Sequence, residues 1–425
     1  MYNNKKSINM MKWAKVLFPI NRSITGKGLR KTIKFIKKIN KNFKKYKIRT
    51  NTRVYDWKIP YEWNISEAYI EEIGGEKICD FKENNLHILG YSKKIDKILS
   101  YNELKKKIFF IKNRPKAIPY FTSYYKKTWG FCISYKKFKS LDKNIKYRVV
   151  IKSSHQKGNL DYTELLIKGK SKKEIIIVSY ICHPSMANNE LSGPVVIMAL
   201  SKIIKPKKYS IRLILIPETI GAIAYINKNY LRLKKNLVAG FNLSCVGDNG
   251  PFTVILSKEE NTYADKIAKR IFNKNKKNKI FSFLKRGSNE RQFGCQNLDL
   301  PFVTICRTKF GDYKEYHSSE DNLQFISEKN LQISLRQIVS IIDEIQKNSI
   351  FVKNTKCEPF FSKYNLIRNT RKNFNKFEKE IFDLTAYVDK NYDVDSLSRL
   401  INKPKKYVLR KLKMLEKRKI IRQFI

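Results

Sequence analysis

The chain has 425 residues, and its 89 Lys+Arg against 37 Asp+Glu give a formal net charge of +52. At ~100–200 residues per domain this length points to two or three domains. A hydrophobic content of 42% with 12% aromatic residues excludes a wholly disordered chain, and 16 Gly with 12 Pro exclude a collagen-like or Pro/Gly low-complexity one. No stretch reaches the ~18–20 uninterrupted apolar residues that span a bilayer; residues 211–226 come nearest and are broken by Arg212, Pro217 and Glu218. Residues 10–20 are interrupted by Lys12 and Lys15 and no small-residue cleavage site follows, so no secretory signal is expected. Cys79, Cys132, Cys182, Cys245, Cys295, Cys306 and Cys357 form an odd set without a C-x-x-C pair. That argues against a disulfide framework or a zinc knuckle and for the cytoplasm. The positive charge has two readings: the footprint of a nucleic-acid binder, or the Lys, Asn and Ile excess of an AT-rich genome spread over solvated faces. The even spread of lysine along the chain favours the second.

In chain order, Leu29, Ile33 and Ile36 fall at i, i+4 and i+7 and predict a helix in an N-terminal part, residues 1–52. Residues 40–52 are polar and basic and read as a connector. Residues 53–145 break into short β-like pieces with aromatic residues and turns, a β-rich inserted module. From residue 146 to 350 strands at 148–152, 163–167, 174–180, 211–216, 238–245 and 301–306 alternate with helices at 191–204, 220–229 and 264–273. This predicts an α/β sheet with helices on both faces. The tail, 360–425, holds three helical pieces at 377–390, 394–401 and 405–416, with Asp393 or Asp395 as an N-cap, Pro404 before the third and a short strand near the end. That is a winged-helix-like arrangement, either DNA-reading or packed through Val408, Leu412 and Leu415 against the catalytic domain.

Ligands of such sheets collect at the carboxyl ends of the strands, and unusual polar clusters stand there. His183 follows one buried run and Glu190 precedes a helix; Glu218 ends another run; Asp248 ends a third; His317 lies in a late loop. Imidazole and carboxylate converging from different strands suit a divalent ion. His183, Glu190, Asp248 and His317 are the candidate ligands, and Glu218 the candidate general base toward metal-bound water. Arg291 has the planar fork that clamps a substrate carboxylate. Each also has a plainer reading: Glu218 and Glu190 as anions at helix N-termini, Asp248 as a turn residue before Asn249-Gly250, Arg291 as the partner of a structural acid, and each histidine as a hydrogen-bonded loop residue.

The strings His-Pro-Ser-Met-Ala-Asn-Asn-Glu-Leu-Ser-Gly at 183–193, Pro-Glu-Thr-Ile-Gly at 217–221, Cys-Val-Gly-Asp at 245–248, Arg-Gly-Ser-Asn-Glu-Arg-Gln at 286–292 and Tyr-His-Ser-Ser at 316–319 resemble the bacterial aminopeptidase-like proteins associated with polysaccharide biosynthesis. The resemblance covers nearly the whole chain. It implies a zinc-exopeptidase-like α/β domain, a β-rich insert and a C-terminal winged helix. The α/β part is more distantly similar to two-zinc aminopeptidases, whose ligands are a His, a bridging Asp, a Glu, an Asp and a late His, with a further Glu as base. His183 matches the first ligand and His317 the last. The bridging Asp falls on Asn189, the Glu-Glu pair becomes Glu218-Thr219, Asp248 lies near the fourth ligand, and Asn289 stands where the family has an aspartate. An amide is a poorer ligand than a carboxylate, so one zinc ion is expected rather than two, with Asn189 and Asn289 left to contact substrate. The resemblance implies a metal-dependent hydrolase acting on an amide bond of a small peptide, aminoacyl or N-acyl substrate. The rival is an inactive peptidase-fold binding protein whose winged helix contacts nucleic acid or protein.

Overall fold

In a computed structural model the description covers residues 8–295, 297–367 and 374–424. Residues 1–7 of the expected N-terminal part, and 368–373 and 425 of the expected C-terminal domain, lie outside the described residues. The centre is an eight-stranded mixed sheet in the order Lys44–Arg49, Asn159–Ile167, Tyr209–Ile216, Ser171–Tyr180, Leu237–Leu243, Phe302–Cys306, Thr253–Ile255, Lys279–Phe281. Ser171–Tyr180 runs parallel to both its neighbours, and the chain steps from it first to one side and then to the other. The carboxyl end of this strand is therefore the topological switch point, the place at which sheets of this kind bind their ligands.

The central strands carry unbroken apolar runs, Ile175 to Val178 and Leu213 to Ile216, because both faces are covered. Ile175 and Ile177 point into one core with the helices Met10–Leu17, Lys27–Ile39, Ser192–Ile203, Tyr263–Phe272 and Glu328–Lys347. Ile176, Val178 and Tyr180 point into the other, with the helix Ile220–Asn236 and with Trp63, Tyr91 and Phe131 of the insert. The alternation follows from successive Cβ atoms facing opposite sides of the sheet.

Two expectations are corrected. Residues 40–52 are not a connector alone: Lys44–Arg49 is the outermost strand, paired antiparallel with Asn159–Ile167. Its lysines, which hid it, are what an edge strand carries to block further pairing. The strand expected at 148–152 runs Lys146–Gln156 and lies between Glu62–Glu72 and Ile95–Ser100 in a separate four-stranded sheet. It belongs with the insert, so the boundary drawn at 145/146 falls later, at the turn into Asn159–Ile167. The two three-residue strands Thr253–Ile255 and Lys279–Phe281 had no periodicity long enough to betray them.

The tail folds as helices Lys376–Tyr387, Val394–Leu400 and Lys405–Lys417 around Val408, Leu412, Leu415 and Phe351. Its last strand, Ile421–Gln423, pairs antiparallel with Phe351–Lys353. Among the described residues no helix is long and apolar enough to cross a membrane.

Candidate active site

Four chain segments deliver the site. His183 stands just past the end of Ser171–Tyr180, Glu218 just past the end of Tyr209–Ile216, Ser288 to Arg291 at the short helix before Phe302–Cys306, and His317 in the loop beyond that strand. His183 is 4% exposed. Its Nδ1 is hydrogen-bonded to Glu190 Oε2 at 2.7 Å and its Nε2 lies 3.6 Å from Glu218 Oε2. The His317 ring centroid is 5.6 Å away. Two imidazoles that share one tetrahedral ion through ~2.0–2.1 Å bonds hold their centroids roughly 5 Å apart, so the observed spacing suits that arrangement. His183, Glu190, Glu218 and His317 are thus brought together.

Glu190 sits behind His183, not beside the free nitrogen. Its Oε2 fixes the imidazole, the task an outer carboxylate performs for a ligating histidine. Its Oε1 has no hydrogen-bond donor and lies 3.6 Å from Nε of the fully buried Arg22, which also donates to His183 O at 3.0 Å. The Cys182, His183 and Glu190 donor atoms lie within 4.8 Å of one another, and Cys182 Sγ accepts from Glu218 N at 3.2 Å. Asp248 is engaged elsewhere. It accepts from Asn188 Nδ2 at 2.8 Å, Gly250 N at 2.7 Å and Thr308 Oγ1 at 2.8 Å, and none of its contacts is with an imidazole. The turn role fits these contacts: an Asx-type bond to the backbone two residues on.

Glu218 is partly exposed; its Oε1 accepts from Ser288 Oγ at 2.7 Å. Burial pushes its carboxyl above the ordinary range, against the opposing pull of His183, Ser288 and Arg291. Burial pulls His183 down, but Cys182, Tyr120 and Glu190 outweigh it and raise the imidazole well above its usual value. His317 goes the other way, lowered to about 3 by burial and by the His183 charge. Arg291 reaches Thr219 Oγ1 at 2.7 Å and does not meet the Glu218 carboxylate by a hydrogen bond. Asn289 Oδ1 accepts from Thr219 N at 3.1 Å, holding a residue at φ +59°, and its Nδ2 has no partner. Asn189 Nδ2 donates to Tyr180 Oη at 2.9 Å, and its Oδ1 has none. Both asparagines are at most 2% exposed.

Sequence reasoning missed three contributors. Asp321 accepts from the backbone N–H groups of Ala187, Asn188 and Asn189 at 3.1, 2.6 and 2.9 Å and so ties the two histidine loops together. Its position directly after the Tyr-His-Ser-Ser-Glu string was the available signal. Tyr120 of the insert lies edge-on to both imidazoles at 5.2 Å, and Arg22 enters from the N-terminal segment; neither carries a local signature.

Imidazole, thiol and carboxylate are the donors zinc takes. The buried amide oxygen of Asn189, which has no hydrogen-bond donor, is a polar atom of the kind a cation or its water relieves. The residues therefore fit a zinc ion.

A mixed sheet with helices on both faces carries a polar cluster at its switch point, and solved aminopeptidase-like proteins share this fold. Residues 11–348 match a family model described as a domain of unknown function, DUF4910, and the chain belongs to that family. It is 38% identical over 356 residues, 83% of this chain and 81% of the other, to a Clostridium acetobutylicum protein named for polysaccharide biosynthesis and an aminopeptidase-like domain. A crystal structure from Clostridium acetobutylicum described as a peptidase superposes with a TM-score of 0.78 at 34% identity, covering 97% of this chain and 96% of that one. A zinc aminopeptidase from Bacillus subtilis shares the fold at 14% identity, TM-score 0.56, over 79% of this chain and 93% of that one.

Proposed function

We propose that this protein is a metal-dependent hydrolase of an amide bond in a small peptide, aminoacyl or N-acyl substrate, including an acylated amino sugar, working in the cytoplasm with its cysteines free. The observation that carries the reading is that His183 Nε2 lies 3.6 Å from Glu218 Oε2 while the His317 ring centroid stands 5.6 Å from that of His183. One zinc ion would be held there by His183 and His317. When bound, zinc supplies a water acidic enough to ionise near neutral pH.

Glu218 takes the proton of the attacking water on Oε2 and returns it to the leaving nitrogen, while Ser288 Oγ keeps Oε1 occupied and the carboxyl in place. Its raised affinity for protons brings it nearer the working pH, where a general base is most effective. Glu190, backed by Arg22, fixes the His183 ring so that Nε2 faces the site. The unpaired Asn189 Oδ1 is an acceptor for a substrate N–H, the unpaired Asn289 Nδ2 a donor to a substrate carbonyl, and Arg291 a clamp for a carboxylate. The same amides support a second reading, a binding protein of the peptidase fold, because they are neutral where the resemblance expects carboxylates.

Zinc content after purification without added metal, together with turnover of aminoacyl p-nitroanilides and N-acyl amino sugars, separates the two. Glu218→Gln is expected to keep the metal and lose ~10²–10⁴-fold in turnover. Unchanged turnover returns Glu218 to helix capping. Metal-free protein without turnover supports the binding role.

A further inference from the structure

The insert grips both histidine loops, and it does so at residues with left-handed backbones. In the first loop Ser185 has φ +42°. Its Oγ lies 2.8 Å from Asn85 Nδ2 of the insert, and the neighbouring Met186 packs with Leu86 and Tyr120 in a small apolar cluster. In the second loop His317 itself has φ +53°. Tyr120 N donates to His317 O at 2.8 Å, Ser319 N donates to Ile118 O at 2.8 Å, and Ile118 N donates to Ser319 Oγ at 3.0 Å. Pro119 bridges Ser318 as in an antiparallel pair, and Arg114 donates to Ser318 Oγ and to Glu320 Oε2, the latter at 2.6 Å. The Tyr120 ring closes this arm over both imidazoles.

Left-handed conformations of non-glycine residues persist only where the surroundings over-determine them. The loop 307–327 that carries His317 contains no helix or strand of its own. Asp321 ties the two loops to each other, which leaves the pair to be fixed against something outside it.

We propose that the β-rich insert is the positioning clamp of the imidazole pair: its arm, residues 114–124, and its Asn85-Leu86 turn set the spacing and orientation of His183 and His317. Arg114 and Tyr120 are the positioning residues. The geometry stands alone; the consequence for zinc rests on the hydrolase reading. Outer groups that orient metal ligands typically change metal affinity ~10–100-fold when removed.

The test uses the full chain with Arg114→Ala, Tyr120→Leu and Tyr120→Phe. Hydrogen exchange is measured in the zinc-free protein over 183–190 and 315–321, and zinc affinity by competition with a chromogenic chelator. Arg114→Ala is expected to speed exchange over 315–321 and Tyr120→Leu over both segments, with exchange in Ser171–Tyr180 unchanged. Both lose ~10–100-fold in zinc affinity, whereas Tyr120→Phe, which keeps the ring, binds zinc as the parent does. Parental exchange in both loops together with parental zinc affinity overturns the clamp. A parent that takes up no zinc overturns the hydrolase reading instead, and the exchange data then decide the clamp alone.

Discussion

Behind His183 the fully buried guanidinium of Arg22 faces a fully buried carboxylate, Glu190, with 3.6 Å between Nε and Oε1. Burial lowers the affinity of Arg22 for its proton, and Glu190 offsets part of that. Removing one member of such a pair leaves a charge in a medium that cannot solvate it, a loss of about 3–5 kcal/mol. Arg22→Met keeps most of the volume and is expected to lower unfolding stability by that amount in denaturant titration; a loss below about 1 kcal/mol would mean the pair behaves like a surface contact. The two amides make the complementary case. If Asn189 and Asn289 are what limits the site to one ion, Asn189→Asp combined with Asn289→Asp should raise zinc bound per chain, read by elemental analysis. Unchanged stoichiometry would show that a second ion was excluded by more than two missing charges.

The helix that leaves the first histidine loop, Ser192–Ile203, lies flush on the sheet because its second residue is Gly193. A Cβ built there would stand 2.2 Å from Ser179 Oγ and 2.8 Å from Leu243 O. Backbone on one side and a hydrogen-bonded hydroxyl on the other leave no room to yield, since Ser179 Oγ donates to that same Leu243 O. Gly193→Ala should therefore cost about 1–3 kcal/mol as an overpacked core site and displace the Ala187–Leu191 turn that carries Asn189 and Glu190. Thermal melting checks the first effect and zinc affinity the second. A neutral or stabilised variant would mean the helix can lift without cost. This element also shows what sequence could and could not convey. The apolar runs gave the doubly covered strands, and a polar residue directly after each run pointed to His183 and Glu218. A basic edge strand such as Lys44–Arg49 has no apolar face to announce it, and Lys146–Gln156 looks the same whether it joins the central sheet or the insert. Tyr120 and Arg22 reach the site from segments far away in sequence, so no local pattern could have marked them, and Asp248 looked like a ligand because turn carboxylates and metal carboxylates share the same neighbourhoods.

At the scale of the molecule the net charge of +52 is spread over many faces. Lys406, Arg410, Lys413 and Lys417 line the exposed side of the last long helix, but Lys27, Lys31, Lys34 and Lys38 do the same on the helix Lys27–Ile39. Basic stripes alone therefore do not single out the tail as a nucleic-acid reader. What does distinguish the tail is how it is docked. Arg270 of the α/β part meets Asp393 through NH2 to Oδ1 at 2.8 Å and NH1 to Oδ2 at 2.9 Å, and also reaches Glu344 at 2.9 Å. Asp393 is fully buried, receives Tyr263 Oη at 3.2 Å, and caps the helix Val394–Leu400 through Ser396 N at 2.8 Å. Burial alone would raise its carboxyl, but Arg270 and Ser396 outweigh it and hold it below the ordinary value. An acid depressed in the folded state stabilises fully above its unfolded pKa of about 3.9, and that contribution is lost as pH falls through the lower folded value. Docking of the tail should thus be constant from neutral pH down to about 4 and weaken below it. Asp393→Asn removes the acid step and leaves Arg270 with fewer partners, a loss of about 3–5 kcal/mol at neutral pH. Following the acid transition of parent and variant by limited proteolysis between the two parts decides the matter: an identical pH midpoint in both would show that Asp393 does not hold the tail in place.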